Sequence, residues 1–286
     1  MTKFSLLLLA AALAAPGAAN AQPFDLPEGV GVEEQATPQQ EAANQRASEL
    51  GLQIYLHDQA AWHGTDWVRA RLDFADHPEI KGYVTEELAS GNIGLVYYAE
   101  FDGALYEFAR LEMAGGKVIS GEIMQTPQDH PLSRDLQRQV GARQAALEQG
   151  AKEQLQLCTS GAVNTVILPP SETGEIPVYL LSAPVEPGRF PLGGHYLFNV
   201  DAGGKVVSGR AFMHSCTDVP VINRHVINGP ENYTTAHLLD DHPNEILHYV
   251  ARNMNLPLVI GTGNVLWTLD YRDSAGGDQD EAGGGE

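Results

Sequence analysis

Histidines and carboxylates are the residues most ready for chemistry, and the chain has ten histidines and 37 acids among 286 residues. The densest group is His237-Leu238-Leu239-Asp240-Asp241-His242-Pro243-Asn244-Glu245-Ile246-Leu247-His248. Imidazole and carboxylate together suit zinc or another borderline divalent cation, and so a metal-assisted hydrolysis. His237, Asp241, His242, Glu245 and His248 are the ligands such a site would use. Helical periodicity weighs against it. At roughly 100° per residue from Glu245, the apolar Ile246, Leu247, Val250, Ala251 and Met254 fill an arc of about 100–240°, whereas His248 and Arg252 fall near 300° and 340°. The Glu245–His248 pair is therefore expected on a solvated face, and a surface metal site is the alternative.

The two cysteines, Cys158 and Cys216, are expected to pair in an oxidising compartment. Closing a loop of roughly 58 residues would stabilise the fold by about 4 kcal/mol. The alternative is a reactive thiol, because His214 lies two residues before Cys216 and would share its strand face. A third group, Tyr55, His57, Asp58, Trp62, His63, Asp66 and Trp67, could line a ligand cleft or supply His–Asp base chemistry. Such residues also dock the rim of a helix on a sheet, which is the expected use here. His57, Trp62, His63 and His214 stand as ligand-cleft candidates. Tyr233 joins them from the polar stretch 225–235, which reads as a surface loop.

No phosphate loop, nucleophile elbow, metalloprotease helix, Cys-x-x-Cys pair or calcium loop is present, and the sequence calls for no cofactor. Gly116-Lys117 and Gly261-Thr262-Gly263 lead into strands, so they offer no helix N-terminus to a phosphate.

Several elements must position these residues. Residues 1–21 carry Lys3, a short apolar run, Pro16 and Ala19-Asn20-Ala21, the pattern of a cleaved signal peptide. Residues 22–36 read as a flexible entry. Thr37-Pro38 opens a helix expected to end at Gly51, and a second helical segment bears Trp62. Asp102-Gly103 and Gly115-Gly116 turn a three-stranded meander within 94–126. A helical stripe over 131–156 follows, then a second meander within 177–215, a helix over 243–254 and two short strands. Residues 273–286 read as a disordered acidic tail. No segment approaches the length of a membrane-spanning helix.

The octapeptide Ala114-Gly-Gly-Lys-Val-Ile-Ser-Gly121 recurs as Ala202-Gly-Gly-Lys-Val-Val-Ser-Gly209. A turn explains the paired glycines, but not the shared Lys-Val and Ser-Gly, so an internal duplication is the expected origin. The expected fold is one α+β domain over 37–272, an antiparallel sheet built from two related meanders with helices on one face.

The formal charge is −20. Five acids fall in 273–286 and Lys3 in the leader, leaving 32 acids against 16 bases, so the acidity belongs to the folded part. Such a surface repels phosphate backbones and excludes nonspecific binding to nucleic acid. The expectation is an exported, periplasmic or secreted, non-catalytic module that binds a small ligand or a cationic protein. A hydrolase-type enzyme with its site around 237–248 is the alternative.

Overall fold

In the computed structural model, which describes residues 34–159, 163–222 and 231–272, the chain enters its first helix at the expected cap. Thr37 Oγ1 accepts from the Gln40 N–H while Gln40 Oε1 accepts from the Thr37 N–H, ahead of Pro38. The helix does not stop at Gly51. α1 runs unbroken over Pro38–Arg69. At Gly51 a later helix, Glu245–Met254, crosses it so closely that a Cβ would lie 2.6 Å from His248 Cβ. The glycine permits helix contact and does not cap. The expected signal peptide 1–21, residues 22–33 of the entry and the tail 273–286 lie outside the described residues.

Four antiparallel strands follow in chain order: β1 (Ile80–Glu87), β2 (Ile93–Phe101), β3 (Ala104–Ala114) and β4 (Lys117–Ile123). The sequence predicts the last three. Lys81, Gly82, Glu86 and Glu87 dilute the apolar pattern of β1. Ser133 then caps α2 (Arg134–Glu153), its hydroxyl accepting from the Leu136 N–H. The same plan follows α2: β5 (Val163–Ile167), β6 (Ile176–Ser182), β8 (Tyr196–Val200) and β9 (Val206–Ala211) form a second antiparallel sheet in that order. Between β6 and β8, β7 (Arg189–Pro191) pairs with β10 (Asp218–Pro220). The chain closes with β11 (Tyr233–Ala236), α3 (Glu245–Met254), β12 (Leu258–Thr262) and β13 (Val265–Leu269), where β11 is parallel to β12 and β13 antiparallel. Tyr233, expected in a surface loop, opens β11 and packs on the core. Residues 223–230 of that stretch lie outside the described residues.

The result is α+β with antiparallel sheets, but the helices are not confined to one face. Strand alternation sends Leu95, Tyr97 and Ala99 of β2 toward α1, and Val96 and Tyr98 toward α2. The second sheet meets α2 through Val178, Leu180, Phe198 and Val200, and its other face, with Val166, Tyr179 and Leu181, packs on α3. Coverage on both faces is why β2 reads as an almost unbroken apolar run. Among the described residues no helix is long and apolar enough to cross a membrane.

The two octapeptide hairpins share one irregularity. In β3–β4 the pairing passes from Glu112–Ser120 to Met113–Val118 and skips Ile119; in β8–β9 it passes from Asn199–Ser208 to Val200–Val206 and skips Val207. Ile119 and Val207 hold the same octapeptide position, and both are exposed. Each final glycine seats an aromatic ring. A Cβ on Gly121 would lie 2.9 Å from Trp67 of α1, and one on Gly209 2.8 Å from Phe198 of β8.

Candidate functional site

The residues singled out by type are dispersed, and most are engaged by the fold. His57 and Asp58, on the buried face of α1, sit under both sheets and α3. Asp58 accepts from the Tyr249 hydroxyl at 2.9 Å and from Asn164 Nδ2 at 3.3 Å. Burial outweighs these donors and pushes its carboxyl up to about 6. His57 Nδ1 bonds Thr85 Oγ1 at 2.7 Å, and burial pushes its ring down to about 4. His195, also buried, bonds the Pro191 carbonyl and meets the Tyr249 ring edge-on; burial brings it to about 4. Trp62, in contrast, is 55% exposed and stacks on His63.

The 237–248 segment is a clamp on the last helix. Asp240 collects His237 Nε2 at 2.8 Å, the Arg210 guanidinium at 2.7 Å and Asn244 Nδ2 at 3.2 Å. Burial alone would raise this carboxyl, but the three donors prevail and hold it at about 2. Asn244 caps α3 by accepting from the Leu247 N–H. His242 bonds Asp241 at the surface. His248 is not on a solvated face: it is 1% exposed, because α1 covers the side of α3 that periodicity leaves to water. The Tyr271 hydroxyl donates to its Nδ1, and its Nε2 donates to Asn44 Oδ1 at 2.9 Å. Burial, with Arg252 and His242 nearby, drives this imidazole down to about 3. Glu245 is half-buried and takes the Tyr179 hydroxyl at 3.3 Å. Among the described residues no group of three or more His, Cys, Asp or Glu is placed to hold a metal ion. His237 and Asp241 line neither of the clefts described next, and His214 lines the second without them.

Two clefts occupy matching points of the two sheets, each where the preceding helix ends over the end of the fourth strand. The first, about 430 Å³, is floored by Leu72, Phe101, Phe108, Ile123 and Met124 and rimmed by Arg71, His77, Glu79 and Gln125. Its volume falls within the range of small-ligand sites. His77 Nδ1 donates to Glu79 at 2.9 Å, and Phe108 meets the ring edge-on. The hydrogen bond from His77 holds the Glu79 carboxyl below its usual range. The Arg71 guanidinium lies 3.6 Å over the Trp67 ring and donates to the Trp67 carbonyl. Gly121 makes room for that tryptophan, so the octapeptide glycine sets the place of the arginine.

The second cleft, about 270 Å³, is lined by Gln154 and Leu155 after α2, by Tyr196, Met213 and His214, and by both cysteines. Cys158 and Cys216 form the expected disulfide. Ile123 in the first cleft and Ala211 in the second are equivalent under the octapeptide repeat, as are Gln125 and Met213.

Of the sequence candidates, His214 and the paired cysteines thus reach a cleft. Arg71, His77, Glu79, Phe101 and Phe108 were not singled out by type. A signal existed in the aromatic residues flanking the Asp102-Gly103 turn, where Phe101 and Phe108 fall on adjoining strands. Compared with protein-family models, curated proteins and solved structures, the chain matches none of them.

Proposed function

We propose that this chain is an exported, non-catalytic binding module that holds a small apolar carboxylate in the cleft at the end of α1. One observation carries the reading: this cleft combines a ring-lined floor with an arginine and a histidine at its rim, whereas the His and Asp residues of 57–58 and 237–248 are tied to one another or to the fold by hydrogen bonds, all buried or capping except the surface pair Asp241–His242. An apolar body would cover Phe101, Phe108 and Met124, and a carboxylate would meet Arg71, whose planar donor array suits it. The leader pattern of residues 1–21 and the disulfide support export to the periplasm or the medium. The repeated octapeptide, the common bulge and the ring-seating glycines support an origin of the two sheets by duplication.

Calorimetric titration with phenylacetate and octanoate tests the binding reading. Dissociation constants below about 1 mM, or 4 kcal/mol, are expected, with at least tenfold loss in Arg71→Ala. The absence of heat with both probes, or equal affinity in the variant, would remove the proposal. Ester hydrolysis abolished by His237→Gln would put the hydrolase reading in its place.

A further inference from the structure

The second cleft exposes a disulfide whose two sulfurs are not equivalent. Cys158 is half-buried and backed by main chain: its N–H donates to Ser182 Oγ at 3.0 Å, and that hydroxyl donates to the Gly194 carbonyl at 2.9 Å. A Cβ on Gly194, whose φ is +74°, would stand 2.8 Å from Cys158 Sγ. Cys216 is exposed, together with His214 and Ser215, and all three line the cleft. A buried structural disulfide would offer neither sulfur to solvent. Here Cys216 is exposed and shares the cleft with His214, while Cys158, though it also lines the cleft, is seated against main chain.

We propose that this cleft is a thiol-exchange site that takes a small thiol, with Cys216 as the sulfur attacked. Exchange requires the incoming thiolate to approach in line with the S–S bond from the far side of the attacked sulfur. The open approach is to Cys216, because Gly193, Gly194 and Ser182 occupy the space around Cys158. The incoming thiol loses its proton to His214, and its sulfur bonds Cys216 Sγ. The S–S bond breaks, and its electron pair leaves on Cys158 Sγ, which then takes up a proton. The products are a mixed disulfide on Cys216 and a free Cys158 thiol, with no further oxidant or reductant required. A second thiol can displace the adduct, oxidising two small thiols to one disulfide as the protein pair is reduced.

The test is incubation of the native full-length mature chain with reduced glutathione, acid quenching and peptide mass mapping. A glutathione adduct on Cys216 with Cys158 free to alkylation is expected. His214→Gln should slow the reaction severalfold near pH 7 but not near pH 9.5, where most of the attacking thiol is ionised unaided. An adduct chiefly on Cys158 would overturn the proposal, as would a native disulfide that stays closed under conditions that open it in urea. Equal slowing of His214→Gln at both pH values would overturn the role of the imidazole.

Discussion

The two sheets set a cleft at the same point of their frameworks and furnish it with opposite chemistry. In the first, the chain leaving β4 turns through Met124 and Pro127, and the space under the end of α1 stays lined by rings, Arg71 and the His77–Glu79 pair. In the second, the chain leaving β9 runs to Cys216 and is bound covalently to the segment after α2. The strand order, the bulge and the glycine under a ring are common to both. What differs is the rim. A rigid pair of sheets carries variation where chain leaves regular structure and packing constrains it least.

The largest way to sharpen this contrast is to cut the second rim. Replacing both cysteines by serine should lower stability by about 4 kcal/mol, and the melting temperature by roughly 10 °C, through freedom regained by the unfolded chain. Carboxylate affinity at the first cleft should be unchanged; calorimetry in the two modes reads both.

Acid should act next, and on both sheets at once. His57 and His195, at about 4, and His248, at about 3, are lowered from 6.5, so the stability they contribute is full above pH 6.5 and lost as pH falls through those values. Asp58 runs the other way: raised from 3.8 to about 6, it favours the fold most below 3.8 and loses that contribution as pH rises through 6. Three groups oppose one, so stability should fall between pH 6.5 and 4, with each histidine contributing up to about 3 kcal/mol. Chemical denaturation across this range should show a shallower fall in His248→Gln than in the parent.

A smaller effect distinguishes the two octapeptides. Gly121→Val and Gly209→Val should each cost about 1–3 kcal/mol by overpacking a ring. Only Gly121→Val should also weaken carboxylate binding, because Trp67 underlies Arg71. Arg71→Ala should move stability least, within about 0.5 kcal/mol, as expected of an exposed side chain.

Local rules made much of this fold legible. Thr37-Pro38 announced the α1 cap, Asp102-Gly103 and Gly115-Gly116 the hairpins, the stripe from Leu136 to Leu147 the second helix, and two cysteines their own pairing. The failures are tertiary. Gly51 has the look of a helix stop and serves a helix crossing. His248 falls on the polar side of a wheel that assumes one buried face, while α3 has two partners. The first cleft draws Arg71, His77, Phe101, Phe108 and Met124 from separate stretches, and no spacing rule joins residues that only folding brings together. The histidine-rich segment drew attention by density, yet His237 joins the clamp at the α3 cap, His248 lies in the core and only His242 stays at the surface.

The most direct test of the binding claim is a phenylacetate titration of isotope-labelled protein, followed by backbone amide resonances. Shifts should cluster at residues 71–79, 101–108 and 123–127 and vanish in Arg71→Ala at an unchanged melting temperature. Shifts centred on 237–248, or none at millimolar probe, would contradict the account.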